Sequence, residues 1–255
     1  MPLAADIFYS GDRSILDRLP IILIHGAGGS HLDWPRELRQ LANRQVLAID
    51  LPGHGRAPPP GRDSIEAYAE SVFAFLEALA IARAIIIGHS MGGAVALMLA
   101  LTHAEHVAGL GLISTGAKLR VSTGLLNALK TDPNAANRQI LAQSVKDQTG
   151  LHLTSDISTF TSSAPADITY HDFRACDQFD IRTRLAEIHT PVCVIAGSQD
   201  AMTPVSYSTY LAEGINGATL SIIPGAGHMV TLEQPLAVAN DLTHWLSTIP
   251  SIWVQ

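Results

Sequence analysis

Six short runs of apolar residues recur along this chain of 255 residues, and no other feature limits its fold as strongly. Each run is apolar throughout instead of at alternate positions, which is the pattern of strands buried on both faces of a parallel sheet. The runs are Ile21–Ile24, Val46–Ile49, Ala84–Ile87, Val107–Ile113, Val192–Ala196 and Leu220–Ile223. Segments of helical periodicity lie between most of them. This alternation predicts a wound α/β fold in which helices flank a mostly parallel sheet.

Two of the helical segments have recognisable ends. The first lies between Asp63 and Ala80, with Asp63 or Ser64 available as its N-cap, and the second follows Pro235, which suits a first helical position. In each segment the apolar residues fall on one face of a helix. These residues are Ile65, Tyr68, Val72, Phe75, Leu76 and Leu79 in the first segment, and Leu236, Ala239, Leu242, Trp245 and Leu246 in the second.

The pattern changes between about Ser114 and Leu185. Ser, Thr, Asn and Asp become frequent there among short amphipathic pieces, and no buried strand is recognisable. The stretch is too long to be one loop without secondary structure in a compact domain. We therefore predict an α/β core formed by residues 1–114 and 186–255, and a helical cap formed by residues 115–185.

Charge and composition exclude several classes of function. The net charge of -7 and the pI of about 5.8 give no attraction to phosphate backbones or anionic lipids, so nucleic acid is not an expected partner. The chain start lacks the pattern of a targeting peptide, and no segment offers the roughly 18 apolar residues of a membrane helix. The expected location is the cytoplasm, without membrane insertion. The oligomeric state is left open. Cys176 and Cys193 have no metal-binding spacing, and we expect them to pack in the interior.

The segment Gly88–Gly92 has the pattern Gly-x-Ser-x-Gly, with Ser90 at its centre. Chance alone would place this pattern in about one chain in ten of this length. Here, however, it directly follows a predicted strand and opens the apolar segment Ala94–Ala100. A strand-to-helix turn this tight exposes the serine hydroxyl and leaves no room for side chains at Gly88 and Gly92. We predict that Ser90 is a nucleophile; the alternative is a serine that only caps the helix.

A serine nucleophile needs a histidine base and a carboxylate that holds this histidine in the right tautomer. His228 follows the last predicted strand in a glycine-containing loop, and Asp200 follows the strand before it. The carboxyl ends of parallel strands meet at one edge of a sheet, so these side chains should gather near Ser90. Their order along the chain is Ser, Asp, His, as expected for a nucleophile of this strand-to-helix type.

Alternatives remain for the acid and for the base. Asp200 also fits a turn or N-cap position before Thr203, and His228 also fits an ordinary surface loop. Asp177 or Asp180 would replace Asp200 as the acid if the cap boundary is misplaced.

An acyl-transfer site also needs two N–H groups that stabilise the oxyanion. The loop after the first long strand, Ile24–Gly29, is rich in glycine, and we predict that the backbone N–H groups of Ala27 and Met91 form the oxyanion hole. The alternative is a glycine-rich turn without a catalytic role. No phosphate-binding glycine pattern is present.

Four further histidines are assigned no chemistry. His25 and His54 are expected to shape loops by hydrogen bonding, and His103 and His106 are spaced for a metal without a third ligand. We predict no metal and no cofactor.

Five motifs, in this order, resemble those of the α/β-hydrolase family. They are His25-Gly26-Ala27-Gly28, Asp50-Leu51-Pro52-Gly53-His54-Gly55, Gly88-His89-Ser90-Met91-Gly92-Gly93, Gly197-x-x-Asp200 and Gly227-His228. The resemblance covers about residues 19–114 and 190–248, and implies the α/β-hydrolase fold. Haloalkane dehalogenases and epoxide hydrolases of this family carry aspartate at the position of Ser90, so the resemblance argues against both activities.

Within the serine branch, the chain looks most like carboxylesterases, monoacylglycerol-type lipases and lactonases. We predict a serine hydrolase that cleaves small-molecule carboxylic esters through an acyl-enzyme. Lactone, thioester, amide and carbon-carbon bond hydrolysis and perhydrolysis remain alternatives, as does a non-catalytic protein that binds a small molecule. Several cap residues are candidates either for lining the acyl or alcohol pocket or for packing the cap onto the core: Leu125, Leu126, Leu129, Phe160, Tyr170, Phe173 and Phe179.

Overall fold

In the part of the chain that the structure describes, eight strands form one sheet in the order β1-β2-β4-β3-β5-β6-β7-β8. The structure is a computed structural model that describes residues 3–11, 19–41, 44–145 and 164–249. The strands from β3 to β8 are parallel, and β1 and β2 are antiparallel to their neighbours. In chain order the strands are β1 (Leu3–Ala4), β2 (Ile7–Ser10), β3 (Ile21–Ile24), β4 (Val46–Asp50), β5 (Ala84–His89), β6 (Val107–Ile113), β7 (Val192–Gly197) and β8 (Thr219–Ile223). The predicted wound α/β fold with a mostly parallel sheet is confirmed.

The two edges of the sheet differ from the sequence-based expectation. At one edge, β1 and β2 were not predicted, because they are short and β2 is stabilised by pairing with β4 rather than by an apolar run of its own. At the other edge, the prediction that the last strand is buried on both faces was wrong. Leu220 in β8 is 39% exposed, because an edge strand has a neighbour on one side only.

Helices cover both faces of the sheet. They are α1 (Arg36–Arg39), α2 (Ile65–Ala78), α3 (Met91–Thr102), α4 (Thr123–Thr131), α5 (Pro133–Ser144), α6 (Ala166–Gln178), α7 (Val205–Gly214), α8 (Val230–Glu233) and α9 (Pro235–Thr248). Ser64 is the N-cap of α2 and accepts a hydrogen bond from the N–H of Ala67 (3.1 Å). Pro235 is the first residue of α9, as predicted, but Leu236 lies on its exposed side.

Neighbouring residues of the central strands belong to opposite cores. Ile22 and Ile24 of β3 pack with α2 and α3, whereas Ile21 and Leu23 pack with α1 and α9. Because both faces of β3 are covered, every position in the strand is buried and apolar. This arrangement explains the uninterrupted apolar runs.

Between β6 and β7 the described residues form the helices α4, α5 and α6, and we call these the cap helices. Their shared apolar cluster is Leu125, Leu129, Ala136, Ile140 and Phe173. Within the predicted cap, residues 146–163, including Phe160, lie outside the described residues. The division into a core (1–114 and 186–255) and a cap (115–185) stays a prediction. No helix among the described residues is long and apolar enough to cross a membrane.

Candidate active site

Ser90 stands between the end of β5 and the start of α3 in a conformation that non-glycine residues rarely adopt, with φ of 52° and ψ of -119°. The backbone around it is tightly packed. A Cβ at Gly88 would collide with the carbonyl of Gly92, and a Cβ at Gly92 would collide with the carbonyl of Ile24. The two glycines are therefore required by the close approach of the backbone, as the sequence predicted.

Hydrogen bonds hold Ser90 in this strained conformation. Its N–H donates to the carbonyl of Ile113 (2.9 Å), and its carbonyl accepts from the N–H of Gly93 (2.9 Å) and the hydroxyl of Thr115 (2.8 Å). Strain of this kind persists only where the surrounding structure fixes the residue on several sides. The turn presents the Ser90 hydroxyl at the carboxyl end of the sheet.

The side chains of Ser90, His228 and Asp200 form a hydrogen-bonded chain. His228 Nε2 lies 3.0 Å from Ser90 Oγ, and His228 Nδ1 lies 2.9 Å from Asp200 Oδ2. A carboxylate accepts hydrogen bonds, so Nδ1 carries the proton and Nε2 is free to accept the proton of the Ser90 hydroxyl. Asp200 and His228 are both buried. The structure thus brings the three predicted residues together at distances suited to a nucleophile, a base and an orienting acid, and these roles stay predictions.

Four hydrogen bonds from protein groups hold Asp200 in its ionised form. Oδ2 accepts from His228 Nδ1 (2.9 Å) and from the Thr203 hydroxyl (2.8 Å). Oδ1 accepts from the backbone N–H groups of Met202 (2.9 Å) and Thr203 (2.8 Å). Burial alone raises the pKa of Asp200, but the electrostatic interaction with His228 and these hydrogen bonds outweigh it and lower the pKa to about 2. The contact between Thr203 and Asp200 was not predicted from the sequence, where Thr203 was assigned no role.

The alternative acids lie elsewhere. Asp180 forms an exposed ion pair with Lys118 (2.9 Å), and Asp177 accepts a hydrogen bond from the N–H of Val121 (3.1 Å). Neither contacts His228, which is bound by Asp200.

The predicted oxyanion-hole residues both adjoin Ser90. Met91 follows it in the chain, and Ala27 lines the same two cavities as Ser90. The backbone of the Ala27 loop passes so close that a Cβ at Gly26 would lie 3.3 Å from Ser90 Cβ. Among the described residues, no hydrogen-bond acceptor is assigned to the N–H of Ala27 or of Met91. Both N–H groups are thus available, and their role in catalysis stays a prediction.

His89, next to Ser90 in the chain, is hydrogen-bonded to the loop of His228. Its Nε2 donates to the carbonyl of His228 (2.9 Å). Burial, together with the electrostatic interaction with His228, lowers the pKa of His89 to about 3, so its ring is neutral. His89 therefore fixes the loop that carries His228 and does not itself exchange protons near neutral pH.

A buried carboxylate on a cap helix binds the loop Ile24–Gly29, which contains Ala27. This carboxylate was not singled out from the sequence. Asp172 of α6 accepts hydrogen bonds from the N–H of Gly28 (2.8 Å), the hydroxyl of Tyr68 (2.6 Å) and His54 Nε2 (2.7 Å). A signal was present, because Asp172 interrupts the apolar face formed by Ile168 and its neighbours in α6. A buried acid at such a position needs partners.

The histidines of the adjoining loops are also hydrogen-bonded, as predicted. Burial alone lowers the pKa of His54, but the charge of Asp172 and the hydrogen bond to it raise the pKa above its ordinary value. His54 Nδ1 also contacts the carbonyl of Pro52 (3.1 Å), so both ring nitrogens act as donors and the ring is an imidazolium. His25 packs against His54, and burial lowers the pKa of His25 to about 4.

Two smaller expectations concern metal ligands and cysteines. His103 lies at the end of α3, binds Glu70 (2.9 Å) and stacks on Phe73. No cluster of three or more possible metal ligands occurs within the ranges that the structure describes. Cys176 and Cys193 are buried and unpaired.

The chain is similar in sequence to one protein family and to several known proteins. A family model described as alpha/beta hydrolase fold matches residues 20–235. The dihydrolipoyllysine-residue acetyltransferase component of an acetoin cleaving system from Pseudomonas putida is 33% identical over 89% of the chain, which spans 63% of that protein. A Pseudomonas syringae protein with the provisional name carbamate hydrolase RutD is 31% identical over 92% of the chain and 96% of its own length.

The chain is also similar in sequence to an esterase and in structure to a lactonase. The pimeloyl-[acyl-carrier protein] methyl ester esterase of Neisseria meningitidis is 31% identical over 86% of the chain and 90% of its own length. The crystal structure of the enol-lactonase from Burkholderia xenovorans superposes with a TM-score of 0.87 at 24% identity, over 94% of this chain and 95% of that one. At this identity, the structural similarity concerns the fold alone.

Proposed function

The chain belongs to the α/β-hydrolase family and is a hydrolase, and from this premise we propose that it cleaves small-molecule carboxylic esters through an acyl-enzyme formed on Ser90. The observation that carries the proposal is the distance of 3.0 Å between Ser90 Oγ and His228 Nε2, with Asp200 bound to the other ring nitrogen. A serine hydroxyl is a weak nucleophile by itself, and a base at hydrogen-bond distance activates it.

In the proposed mechanism, Ser90 Oγ attacks the ester carbonyl while His228 Nε2 takes the hydroxyl proton. The oxyanion of the tetrahedral intermediate accepts hydrogen bonds from the N–H groups of Ala27 and Met91. His228 then donates its proton to the leaving alcohol, and Asp200 stabilises the imidazolium that forms in between. Water repeats the sequence on the acyl-enzyme and releases the carboxylic acid.

The relatives support chemistry at a carbonyl carbon. By their names, one acts on a methyl ester, one on a carbamate and one transfers an acetyl group. A nucleophile, a base and oxyanion donors are suited to reactions at such a carbon. We favour the ester because its alkoxide leaving group needs only the proton that His228 carries. Cytoplasmic location and the lack of nucleic-acid and membrane partners stay predictions from composition.

The test is hydrolysis of p-nitrophenyl acetate and butyrate by the wild type, by Ser90→Ala and by Ser247→Ala. Ser247 is exposed and distant in sequence, and serves as the matched control. For a triad enzyme, loss of the nucleophile costs on the order of a million-fold in turnover. We expect this loss in Ser90→Ala and full activity in Ser247→Ala. An active Ser90→Ala variant would overturn the proposal.

A serine-reactive fluorophosphonate distinguishes the enzyme from a non-catalytic binding protein. We expect labelling of Ser90 in the folded wild type and none in Ser90→Ala, whereas a binding protein would remain unlabelled. A panel at fixed enzyme concentration then compares matched esters, carbamates, lactones, thioesters, amides and carbon-carbon bond substrates. Higher kcat/KM for the esters supports the proposal, and higher kcat/KM for another class contradicts it.

A further inference from the structure

A cavity of about 330 Å³ lies beside the catalytic site and shares Arg120 with it. The two described cavities that contact Ser90 have volumes of only about 30 and 40 Å³. Each therefore holds a few water molecules at most, whereas sites for small molecules usually measure about 300 to 1,000 Å³. The larger cavity has the size that a substrate needs beyond its reacting carbonyl. It is lined by Ala117, Lys118, Arg120, Arg182, Ser206, Tyr207 and Tyr210.

The same two segments of the chain line the large cavity and one of the small ones. Residues 117–121 contribute Lys118 to the large cavity, Val121 to the small one and Arg120 to both. Residues 202–210 likewise contribute Thr203 to the small cavity and Tyr207 to the large one. The small cavity also contacts Ser90, so a substrate bound there extends towards Arg120.

The lining of the large cavity is positively charged in a protein whose net charge is -7. Lys118 and Arg182 share the carboxylate of Asp180, at 2.9 and 2.7 Å. The other acid bound to this segment, Asp177, accepts the N–H of Val121. The lining thus contains three positive charges, and even with both Asp180 and Asp177 counted against them the surplus is positive.

Arg120 differs from the other two cations. It is exposed, and among the described residues it has neither an ion-pair partner nor a hydrogen-bond partner. Its guanidinium is therefore free to bind a carboxylate or phosphate with two parallel hydrogen bonds.

Uncharged donors complete the cavity. Ser206 and Tyr207 stand in the first turn of α7, which has no side-chain cap, and the hydroxyl of Tyr210 comes from the next turn. The positive end of a helix dipole and hydroxyl donors both favour an anion.

We propose that this cavity binds an anionic group of the substrate, a carboxylate or a phosphate remote from the scissile bond, and that Arg120 determines this specificity. The inference rests on the proposed ester hydrolysis at Ser90 and narrows its substrate class. The natural substrate is then a charged ester instead of a simple aliphatic one.

The test compares p-nitrophenyl esters of equal chain length that end in a carboxylate, a phosphonate or a methyl group. The variants are Arg120→Met, Arg120→Lys and Arg36→Met, in which Arg36 is an exposed arginine of α1 and the matched control. We expect the ratio of kcat/KM for anionic over neutral esters to fall about 10- to 100-fold in Arg120→Met, mainly through KM. Arg120→Lys should restore part of the ratio, and Arg36→Met should keep it. The better of the two anionic esters identifies the charged group.

Inhibition by free adipate and by inorganic phosphate is a second measurement. It does not depend on whether the acyl part or the alcohol part of the substrate carries the charge. We expect at least one of the two anions to inhibit hydrolysis of the neutral ester in the wild type, and much less in Arg120→Met. The proposal is overturned if Arg120→Met changes neither the specificity ratio nor this inhibition.

Calorimetric titration of the Ser90→Ala variant with the same two anions separates the two proposals. If Ser90→Ala binds one of the anions and the double variant with Arg120→Met does not, the result supports the anion site even if no ester is cleaved. Ester hydrolysis without anion binding or anion preference overturns the anion site and leaves the proposed function standing.

Discussion

The backbone N–H of Gly28 donates a hydrogen bond of 2.8 Å to Oδ2 of Asp172, which is 144 residues away in the chain. Gly28 follows Ala27, whose N–H we assign to the oxyanion hole, and Asp172 lies in the cap helix α6. The same carboxylate binds the imidazolium of His54 and the hydroxyl of Tyr68. A cap helix is thus hydrogen-bonded directly to the loop to which we assign the oxyanion hole, and we expect the position of this helix to affect the position of the Ala27 N–H.

Asp172→Asn should weaken both the fold and catalysis. The substitution leaves the buried His54 without its counter-charge, and breaking a buried ion pair costs roughly 3 to 5 kcal/mol. A shifted Ala27 N–H should lower kcat about 10- to 100-fold. Urea unfolding and p-nitrophenyl acetate hydrolysis measure the two effects.

Tyr68→Phe is the control, because it removes one hydrogen bond to the same carboxylate without touching Gly28. It should lower the free energy of unfolding by about 1 to 2 kcal/mol, with a smaller loss of kcat than Asp172→Asn. Equal kcat in wild type and Asp172→Asn would refute the coupling.

Thr203→Val should reduce activity through Asp200. The Thr203 hydroxyl donates to Asp200 Oδ2 at 2.8 Å, on the oxygen that also binds His228. Its loss leaves the backbone donors in place, so we expect a decrease in kcat of about 3- to 10-fold, equivalent to one neutral donor. Thr203→Ser keeps the hydroxyl and is the control. A Thr203→Val variant as active as Thr203→Ser would show that the backbone N–H groups suffice.

Asp33→Asn should change how stability depends on pH. Burial raises the pKa of Asp33 to about 7, and the N–H of Ser30 (3.1 Å) offsets only part of this effect. Between pH 4 and pH 7 the unfolded chain has lost a proton that the folded protein keeps, so the free energy of unfolding falls as the pH rises. Asparagine has no proton to lose. The variant should match the wild type near pH 4 and exceed it above pH 7 by an amount on the order of a few kcal/mol.

Urea unfolding at a series of pH values checks this expectation. Parallel stability curves for wild type and Asp33→Asn between pH 4 and pH 8 would contradict the raised pKa.

Two glycine substitutions should have opposite effects. A Cβ at Gly88 collides with the backbone of Gly92, so Gly88→Ala should destabilise the protein by more than about 2 kcal/mol and abolish activity. Gly124 lies in α4, and the nearest atom to an added Cβ is Ser122 Oγ at 3.9 Å. Gly124→Ala should therefore stabilise by up to about 0.5 kcal/mol, less than the gain in a helix interior, because Gly124 lies in the first turn of α4. Thermal unfolding of both variants is the measurement, and a stable, active Gly88→Ala would contradict the close packing.

The central sheet and the tight turn at Ser90 were predictable because their signals are local. A strand covered on both faces must be apolar at every position, and a turn without space for Cβ must carry glycine, so the sequence itself records both constraints. The placement of Asp200 and His228 beside Ser90 followed from one further rule, that parallel strands end at a common edge. The antiparallel strand β2 left no comparable pattern, and the apolar run of β8 located that strand but did not show that it lies at an exposed edge of the sheet.

The sequence alone was enough to predict which segments form the central sheet and which residues are candidates for catalysis. Only the tertiary structure decided what surrounds them: that Thr203 binds Asp200, that Asp172 binds Gly28, and that Arg120 lies between two cavities. These contacts join residues of different elements, and their energy depends on distance, burial and direction in space. A hydrogen bond between groups 144 residues apart leaves no periodicity in either segment, so it becomes visible only when the chain is folded.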